Sequence, residues 1–343
     1  MAWLGWEVDS VGGIFEEQKI ADCGLTSIPF EDLNQPNLKL SSTINPLLCD
    51  PATGVCEIPG LDVSSEGRIN MQSDKPVKVT YFTDPICSTC WGIEPQLRKL
   101  KLEYGDYLDI DYRMGGLLPD WNYNSGGISK PSDVGPHWDE VSAHYQMPID
   151  GDVWLEDPLH SSFPPSVAVK AAALQDEIKA ATFMRKLREA VFLEKKNITR
   201  WEVISEAAAA VGLDVDQLKT DFEGLGNDLF EEDLALAKEL GVRGFPTMLF
   251  TDQDSNQLKV YGFKPYETFE NALLAIYPDA VKKPVNLTSD ISLFEHYPTL
   301  TPKEFATITA ISFEEAEEQL DKLFEQNLVD KLTIKNGSVY RLK

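Results

Sequence analysis

The sequence predicts an α/β fold, a mixed sheet carrying a large helical insertion, followed by a small module of helices and a hairpin. Three observations predict it. A β-branched and aromatic run, Val77-Lys78-Val79-Thr80-Tyr81-Phe82, precedes apolar residues at helical spacing (Ile93, Leu97, Leu100, Tyr104) and then the alternating segment Leu108-Asp109-Ile110-Asp111-Tyr112-Arg113. Strand patterns return only at Thr247-Met248-Leu249-Phe250 and Leu258-Lys259-Val260-Tyr261-Gly262, after a helical stretch from Ser166 to about Leu240. Near the end, capped helices precede two strands joined by Asn336-Gly337, a strong hairpin signal.

Taken in order, residues 1–73 are rich in Asn, Pro, Ser and Gly and predict an irregular N-terminal extension. Its one compact motif is Cys49-Asp50-Pro51-Ala52-Thr53-Gly54-Val55-Cys56, in which Asp-Pro and Thr-Gly are turn formers that bring two cysteines together across a loop. Three readings of Cys49 and Cys56 stay open: an auxiliary redox pair, a metal site completed elsewhere, or two ordinary thiols. Cys23 is left over and reads as inert.

Residues 74–284 form the expected core domain, with the insertion at about 115–240. Two strands flanking one helix make a βαβ unit. Gly115 to Pro165 is loop-rich, with Trp121, Trp138 and Trp154 scattered through it, whereas Ser166 onward carries Ala-rich and Leu-rich helical runs. A structureless loop of this length is disfavoured inside a compact domain, so the segment reads as a helical insertion between two halves of a sheet. His137 and His144, seven apart, are spaced too widely for helical metal ligation and are expected to cap or line the insertion. Glu194-Lys195-Lys196 reads as a solvated face. A last helix is expected from Tyr266 to Tyr277.

Residues 285–343 predict a winged-helix-like module. Thr301-Pro302 opens one helix with a cap and a proline in its first turn, and Ser312 with Glu315 forms a capping box for the next. That second helix carries Glu314, Glu315, Glu317, Glu318, Asp321 and Glu325 against Lys322 alone, so a DNA groove would repel it.

Composition excludes several classes. With 31 Lys and Arg against 56 Asp and Glu, the net charge is -25, which argues against a nucleic-acid partner and disfavours an anionic membrane. An apolar share of 43% over 343 residues supplies a core without disulfide staples. The N-terminus lacks a basic region followed by an apolar core, and no stretch approaches the ~18 apolar residues of a span. A cytoplasmic setting is expected, in which the sequons at Asn197 and Asn286 carry no weight and a C-x-x-C pair is more often catalytic, redox-sensing or metal-binding than structural.

Such a pair, Cys87-Ser88-Thr89-Cys90, lies where the first strand gives way to the first helix. Unpaired N–H groups and the positive end of the helix dipole favour a thiolate there. Cys87, in the exposed first turn, is expected to be the reachable nucleophile, and Cys90 to cleave the mixed disulfide that its attack leaves. The competing zinc reading would draw on Cys49 and Cys56, but zinc knuckles seldom follow a long buried strand and open a long helix. Pro246, in Gly244-Phe245-Pro246-Thr247, stands just before the third strand, where a cis peptide would present the Phe245 backbone to an incoming peptide.

Several separated motifs carry a resemblance. Thr83-Asp84-Pro85-Ile86-Cys87-Ser88-Thr89-Cys90-Trp91 with Glu94-Pro95, the insertion segments from Phe163 to Ala172 and from Phe192 to Ile198, and Gly241-Val242-Arg243-Gly244-Phe245-Pro246-Thr247 occur in order. Over about residues 75–280 the chain resembles the DsbA family of thioredoxin-fold proteins, in the cytoplasmic branch of FrnE-like oxidoreductases and SpxH-type adaptors of the ClpXP protease. The resemblance implies a thioredoxin fold, Cys87 as attacking cysteine, Cys90 as resolving cysteine, Pro246 as the cis-proline facing them, and Phe245, Thr247 and Trp91 lining the substrate site. The family's periplasmic oxidant typically carries Pro-His between its cysteines; Ser88-Thr89 here lacks the histidine that helps stabilise the thiolate, and a milder potential is expected.

The function expected is therefore thiol-disulfide exchange or isomerisation on protein or small thiol/disulfide substrates, with no cofactor and no metal. The alternative is an adaptor holding a protein client, with the dithiol as a sensor. A glutathione-dependent isomerase on this fold is disfavoured by the intact cysteine pair.

Overall fold

A computed structural model describes residues 48–50, 55–57, 75–122, 128–285, 287 and 289–343. Cys23 and Asn286, and most of the expected N-terminal extension, lie outside the described residues. In chain order the elements are β1 (Leu48–Asp50), β2 (Val55–Glu57), β3 (Val77–Thr83), α1 (Ser88–Gly92), α2 (Glu94–Tyr104), β4 (Leu108–Met114), α3 (Pro131–Tyr145), α4 (Val153–Glu156), α5 (Phe163–Gln175), α6 (Glu177–Leu193), α7 (Trp201–Ala210), α8 (Val215–Glu223), α9 (Leu225–Glu239), β5 (Thr247–Thr251), β6 (Gln257–Tyr261) and α10 (Tyr266–Ile276). They continue with α11 (Leu293–His296), β7 (Thr299–Leu300), α12 (Pro302–Thr309), α13 (Phe313–Glu325), β8 (Val329–Ile334) and β9 (Gly337–Leu342).

The large sheet has the order β1-β2-β6-β5-β3-β4, with β3 and β4 parallel and every other pair antiparallel. Strands β6, β5, β3 and β4 with α1, α2 and α10 make the thioredoxin fold. The alternation of β3 sends Val77, Val79 and Tyr81 to one face, where they pack with Met248, Phe250, Val260, Leu97, Leu100, Phe269 and Leu273. Phe82 goes to the other face and meets Leu249, Phe245, Val242 and both cysteines of the pair.

Three segments depart from the sequence reading. First, the extension contains strands β1 and β2, which add a hairpin to the sheet edge at β6. Second, the single helix expected after the dithiol is two. α1 ends at Gly92 and α2 starts at Glu94, because Pro95 lacks the N–H that would reach back to Trp91. Third, the loop-rich stretch contains α3, fifteen residues long, despite Gly135 and Pro136. Val134, Trp138 and Val141 recur on one buried face, and that burial outweighs the lost hydrogen bond. The scattered tryptophans converge there: the Trp138 and Trp154 rings stand edge-on at 5.2 Å and Trp121 meets Trp154 at 5.8 Å.

At the C-terminus, helix, strand, two helices and two strands form the winged-helix-like module around Phe294, Leu300, Phe305, Leu320 and Tyr340. Both capping boxes form, Thr301 with Glu304 and Ser312 with Glu315. The hairpin turn is Lys335-Asn336, since Ile334 already pairs with Gly337. Gly337 sits at φ 138 and its missing side chain leaves room for Pro148, while Asn336 donates to Asp139 and to the Ile149 carbonyl of the insertion.

Candidate functional site

Cys87 is the N-cap of α1, and its sulfur accepts the Cys90 N–H at 3.2 Å. Across from it the Phe245–Pro246 peptide is cis, and the Cys87 Sγ lies 3.7 Å from the Phe245 carbonyl oxygen, toward which the thiol donates. The Pro246 carbonyl accepts from Gly262 N–H, tying this turn to the end of β6. Gly115 lies behind the Phe245 ring, where a Cβ would fall 1.9 Å from Cζ.

The expected exposure of Cys87 is not what the structure shows. Its residue is 1% exposed and Cys90 is 0%, because Phe245, Val242 and Ala237 close over the helix N-terminus. Two expected substrate contacts also turn inward. Trp91 is buried, stacks on Phe192 at 5.4 Å, donates to the Pro148 carbonyl and lies under the Arg185 guanidinium, so it packs the insertion against α1. Thr247 is buried in β5 and spends its hydroxyl on the Gly244 carbonyl. On the outer side, Thr89 meets the Tyr145 hydroxyl at 3.3 Å, and Tyr145 stacks on Phe263 at 4.5 Å. Neither aromatic was singled out in the sequence, where nothing links them to residue 89.

Beneath the pair lies a charged layer that no sequence signal indicated. Asp84 is fully buried, accepts from the Ile86 and Leu117 amides and from Ser162, and is pushed up to about 6 by burial against those hydrogen bonds. Arg188 of α6 is 0% exposed, with Nη1 2.5 Å from Glu94 Oε1 and Nη2 2.5 Å from Thr83 Oγ1. Glu94 is also approached by Arg98 and Arg185, and these cations hold its carboxyl below the usual range against the burial that raises it. Arg185 binds Glu304 of α12 with both terminal nitrogens and Glu189 through Nε.

Burial raises both thiols, but their surroundings differ. At Cys90 the nearby Arg188 charge and polar neighbours oppose that rise, and the net direction is down. At Cys87 burial and the neighbouring sulfur outweigh the Cys90 N–H, and the net direction is up. The two sulfurs share one buried site, so the first proton is lost by the pair as a unit, and the helix N-terminus contributes the Cys90 N–H to Cys87.

Cys49 stands opposite Cys56 in the β1–β2 ladder, and Cys56 opposite Lys259 of β6. Among the described residues no three His, Cys, Asp or Glu side chains converge as metal ligands. His137 lies in α3 with its imidazole held low by burial, and His144 packs on Tyr145. Among the described residues, no helix is long and apolar enough to cross a membrane.

Comparison with known proteins agrees with this architecture. A family model described as thioredoxin matches residues 81–271. The chain is 34% identical over 302 residues to the ClpXP adapter protein SpxH of Halalkalibacterium halodurans, covering 85% of this chain and 96% of the relative. It is 30% identical over 273 residues to the SpxH of Bacillus subtilis, covering 78% and 89%. In fold it is similar to a putative protein disulfide isomerase from Nitrosomonas europaea, at a TM-score of 0.52 and 20% identity over 59% of this chain and 97% of the other. The chain belongs to the DsbA family of thioredoxin-fold proteins.

Proposed function

We propose that the protein is a thiol-disulfide oxidoreductase of the cytoplasm, acting on protein or small thiol and disulfide substrates through Cys87 and Cys90. The observation that carries this reading is the placement of Cys87 at a helix N-cap, 3.7 Å from the Phe245 carbonyl of a cis-proline turn and within reach of the Cys90 N–H. Cys87 attacks a substrate disulfide as its thiolate, and one substrate sulfur leaves as thiolate. Cys90 then gives its proton to that departing sulfur, displaces the second sulfur from the mixed disulfide as thiolate and closes the Cys87–Cys90 bond. Because Cys87 is covered, Phe245 and Val242 must swing aside to admit the substrate, and the freed Phe245 backbone is then the strand edge the substrate pairs with.

The register of Cys49 against Cys56 supports an auxiliary redox pair. Directly opposed residues in an antiparallel ladder stand about 4.5–5.5 Å apart at Cα, inside the roughly 4.4–6.8 Å a disulfide spans. Differential alkylation with mass mapping checks it: a bond that forms and reverses in step with Cys87–Cys90 supports the pair, and two thiols that stay free at every glutathione ratio refute it.

A second reading, an adaptor that holds a protein client, is favoured by the adapter name of the two relatives quoted and by the closed state of the site. Insulin-disulfide turnover with a thiol reductant separates the two. Loss of turnover in both Cys87→Ser and Cys90→Ser supports the oxidoreductase; no turnover in the parent, with client capture surviving both substitutions, sinks it.

A further inference from the structure

Helix α1, which carries the dithiol, is held from two sides. On one side Cys87 Sγ lies 3.7 Å from the carbonyl of the cis-proline turn. On the other side stands the segment 145–149, where α3 ends and the chain runs on toward α4. Tyr145 meets the Thr89 hydroxyl at 3.3 Å and lays its ring over Gly92, where a Cβ would fall 2.5 Å from Cδ2, so only glycine allows the approach. Trp91 Nε1 donates to the Pro148 carbonyl at 3.0 Å. Of the five residues of α1, Thr89, Trp91 and Gly92 are therefore in contact with this one segment.

The C-terminal module holds the same segment along its length. Lys303 donates to the Gln146 side-chain oxygen at 2.8 Å, and the Thr301 hydroxyl donates to the Met147 sulfur at 3.3 Å. Gly337 packs on Pro148, and Asn336 donates to the Ile149 carbonyl at 2.9 Å and to Asp139 at 2.7 Å. Lys335 pairs with Asp139 and Asp152 around the same hairpin tip. Four consecutive residues, 146–149, thus have a partner in the module, while Pro148 and the adjoining Tyr145 hold the helix of the nucleophile.

We propose that the β8–β9 hairpin is a latch on the dithiol: by holding residues 146–149 it keeps α1 against the cis-proline turn and Cys87 covered, and the site opens when the hairpin tip lifts. Cys87 is 1% exposed and has to be uncovered to react, so its reactivity follows how often α1 and the turn part. The segment cannot leave the module without pulling on Trp91 and Thr89, because each is bonded to it. Access to that site is the regulated step of the oxidoreductase reading, on which the latch rests for its use.

The test is the alkylation rate of Cys87 by iodoacetamide in the reduced full chain, resolved by peptide mass and repeated at urea concentrations below the unfolding transition. Where reclosing outruns alkylation, the rate is proportional to the open population. Asn336→Ala removes both hydrogen bonds of the tip and is expected to raise the rate at least about fivefold, the effect of roughly one lost hydrogen bond. Tyr145→Phe acts on α1 directly and raises it in the same direction. Both rises should show little urea dependence, the mark of a local opening. Asp321→Asn is the control: its partners Lys331 and Tyr340 both lie within the module, and its rate should stay within about twofold of the parent. Rates in Asn336→Ala and Tyr145→Phe that match the parent overturn the proposal. An equal rise in Asp321→Asn overturns it too, as general loosening of the module, and so does a parent rate that tracks global unfolding in urea. Should Asn336→Ala fail to fold, Gly337→Ala, whose methyl would stand 3.1 Å from Pro148 Cβ, decides in its place by the same criterion. Iodoacetamide needs no disulfide substrate, so faster alkylation in the variants of a parent without insulin turnover fails the oxidoreductase reading alone, and normal turnover with unmoved alkylation fails this inference alone.

Discussion

Replacing Glu304 by Gln removes one charge from the core and little else. Glu304 is 0% exposed, its Oε1 lies 2.6 Å from Arg185 Nη1 and 3.3 Å from Arg98 Nε, and its Oε2 lies 3.2 Å from Arg185 Nη2 and accepts the Thr301 N–H at 2.8 Å. At this junction of α2, α6 and α12 three carboxylates, Glu94, Glu189 and Glu304, face three guanidinium groups, Arg98, Arg185 and Arg188. The substitution leaves two carboxylates against those three guanidinium groups and Lys186, which reaches Glu189 at 2.9 Å. Gln still serves in a capping box, so the start of α12 survives and the charge is tested by itself. Breaking a buried pair from one side costs about 3–5 kcal/mol, because the remaining ion stays in a medium that solvates it poorly. That is a large part of a total stability of roughly 5–15 kcal/mol. The assay is urea unfolding of the full chain by tryptophan fluorescence, with thermolysin cleavage reporting release of the C-terminal module. Adding Arg185→Met should recover part of the loss, since the pair is then removed from both sides. A Glu304→Gln protein within about 0.5 kcal/mol of the parent, in the range of an ordinary surface change, would refute the reasoning.

Further outcomes follow from the same contacts. Glu189 is held at about 2 by Arg185, Lys186 and the Thr299 hydroxyl against the burial that raises it. Its folded value lies below the unfolded one of roughly 4.3, so its stabilisation, on the order of 3 kcal/mol, is complete above that value and is lost as the pH falls toward 2. Acid unfolding of the parent should therefore steepen between those limits, and a Glu189→Gln form that retains the same steepening would contradict it. Gly115→Ala drives a methyl into the Phe245 ring, where ordinary overpacking costs about 1–3 kcal/mol, and should displace the cis-proline turn and slow insulin turnover. Unaltered melting and turnover would show that the ring moves freely.

The order of strands and helices was legible because periodicity reports burial, and burial builds β3, α2, β5 and β6. The dithiol and Pro246 were legible because their chemistry needs particular residue types at particular places in the chain. Helix α3 was not, since its proline and glycine speak locally against a helix while Val134, Trp138 and Val141 find their burial only against residues far along the chain. The charged layer was hidden for a related reason. Glu94, Arg185, Arg188 and Glu304 each resemble a solvated helix face in sequence, and they become a core only when α2, α6 and α12 meet. The inward turn of Trp91 and the cover over Cys87 come from that same packing of the insertion on the sheet.

The central claim is that Cys87 attacks and Cys90 resolves. Incubating Cys90→Ser with oxidised glutathione, and reading the intact mass with peptide mapping, tests it most directly. One glutathione should accumulate on Cys87 and persist, the parent should pass on to the Cys87–Cys90 disulfide, and Cys87→Ser should remain unmodified within the pair. A mixed disulfide that forms on Cys90 in the Cys87→Ser protein, with Cys87 inert in the Cys90→Ser protein, would contradict the account.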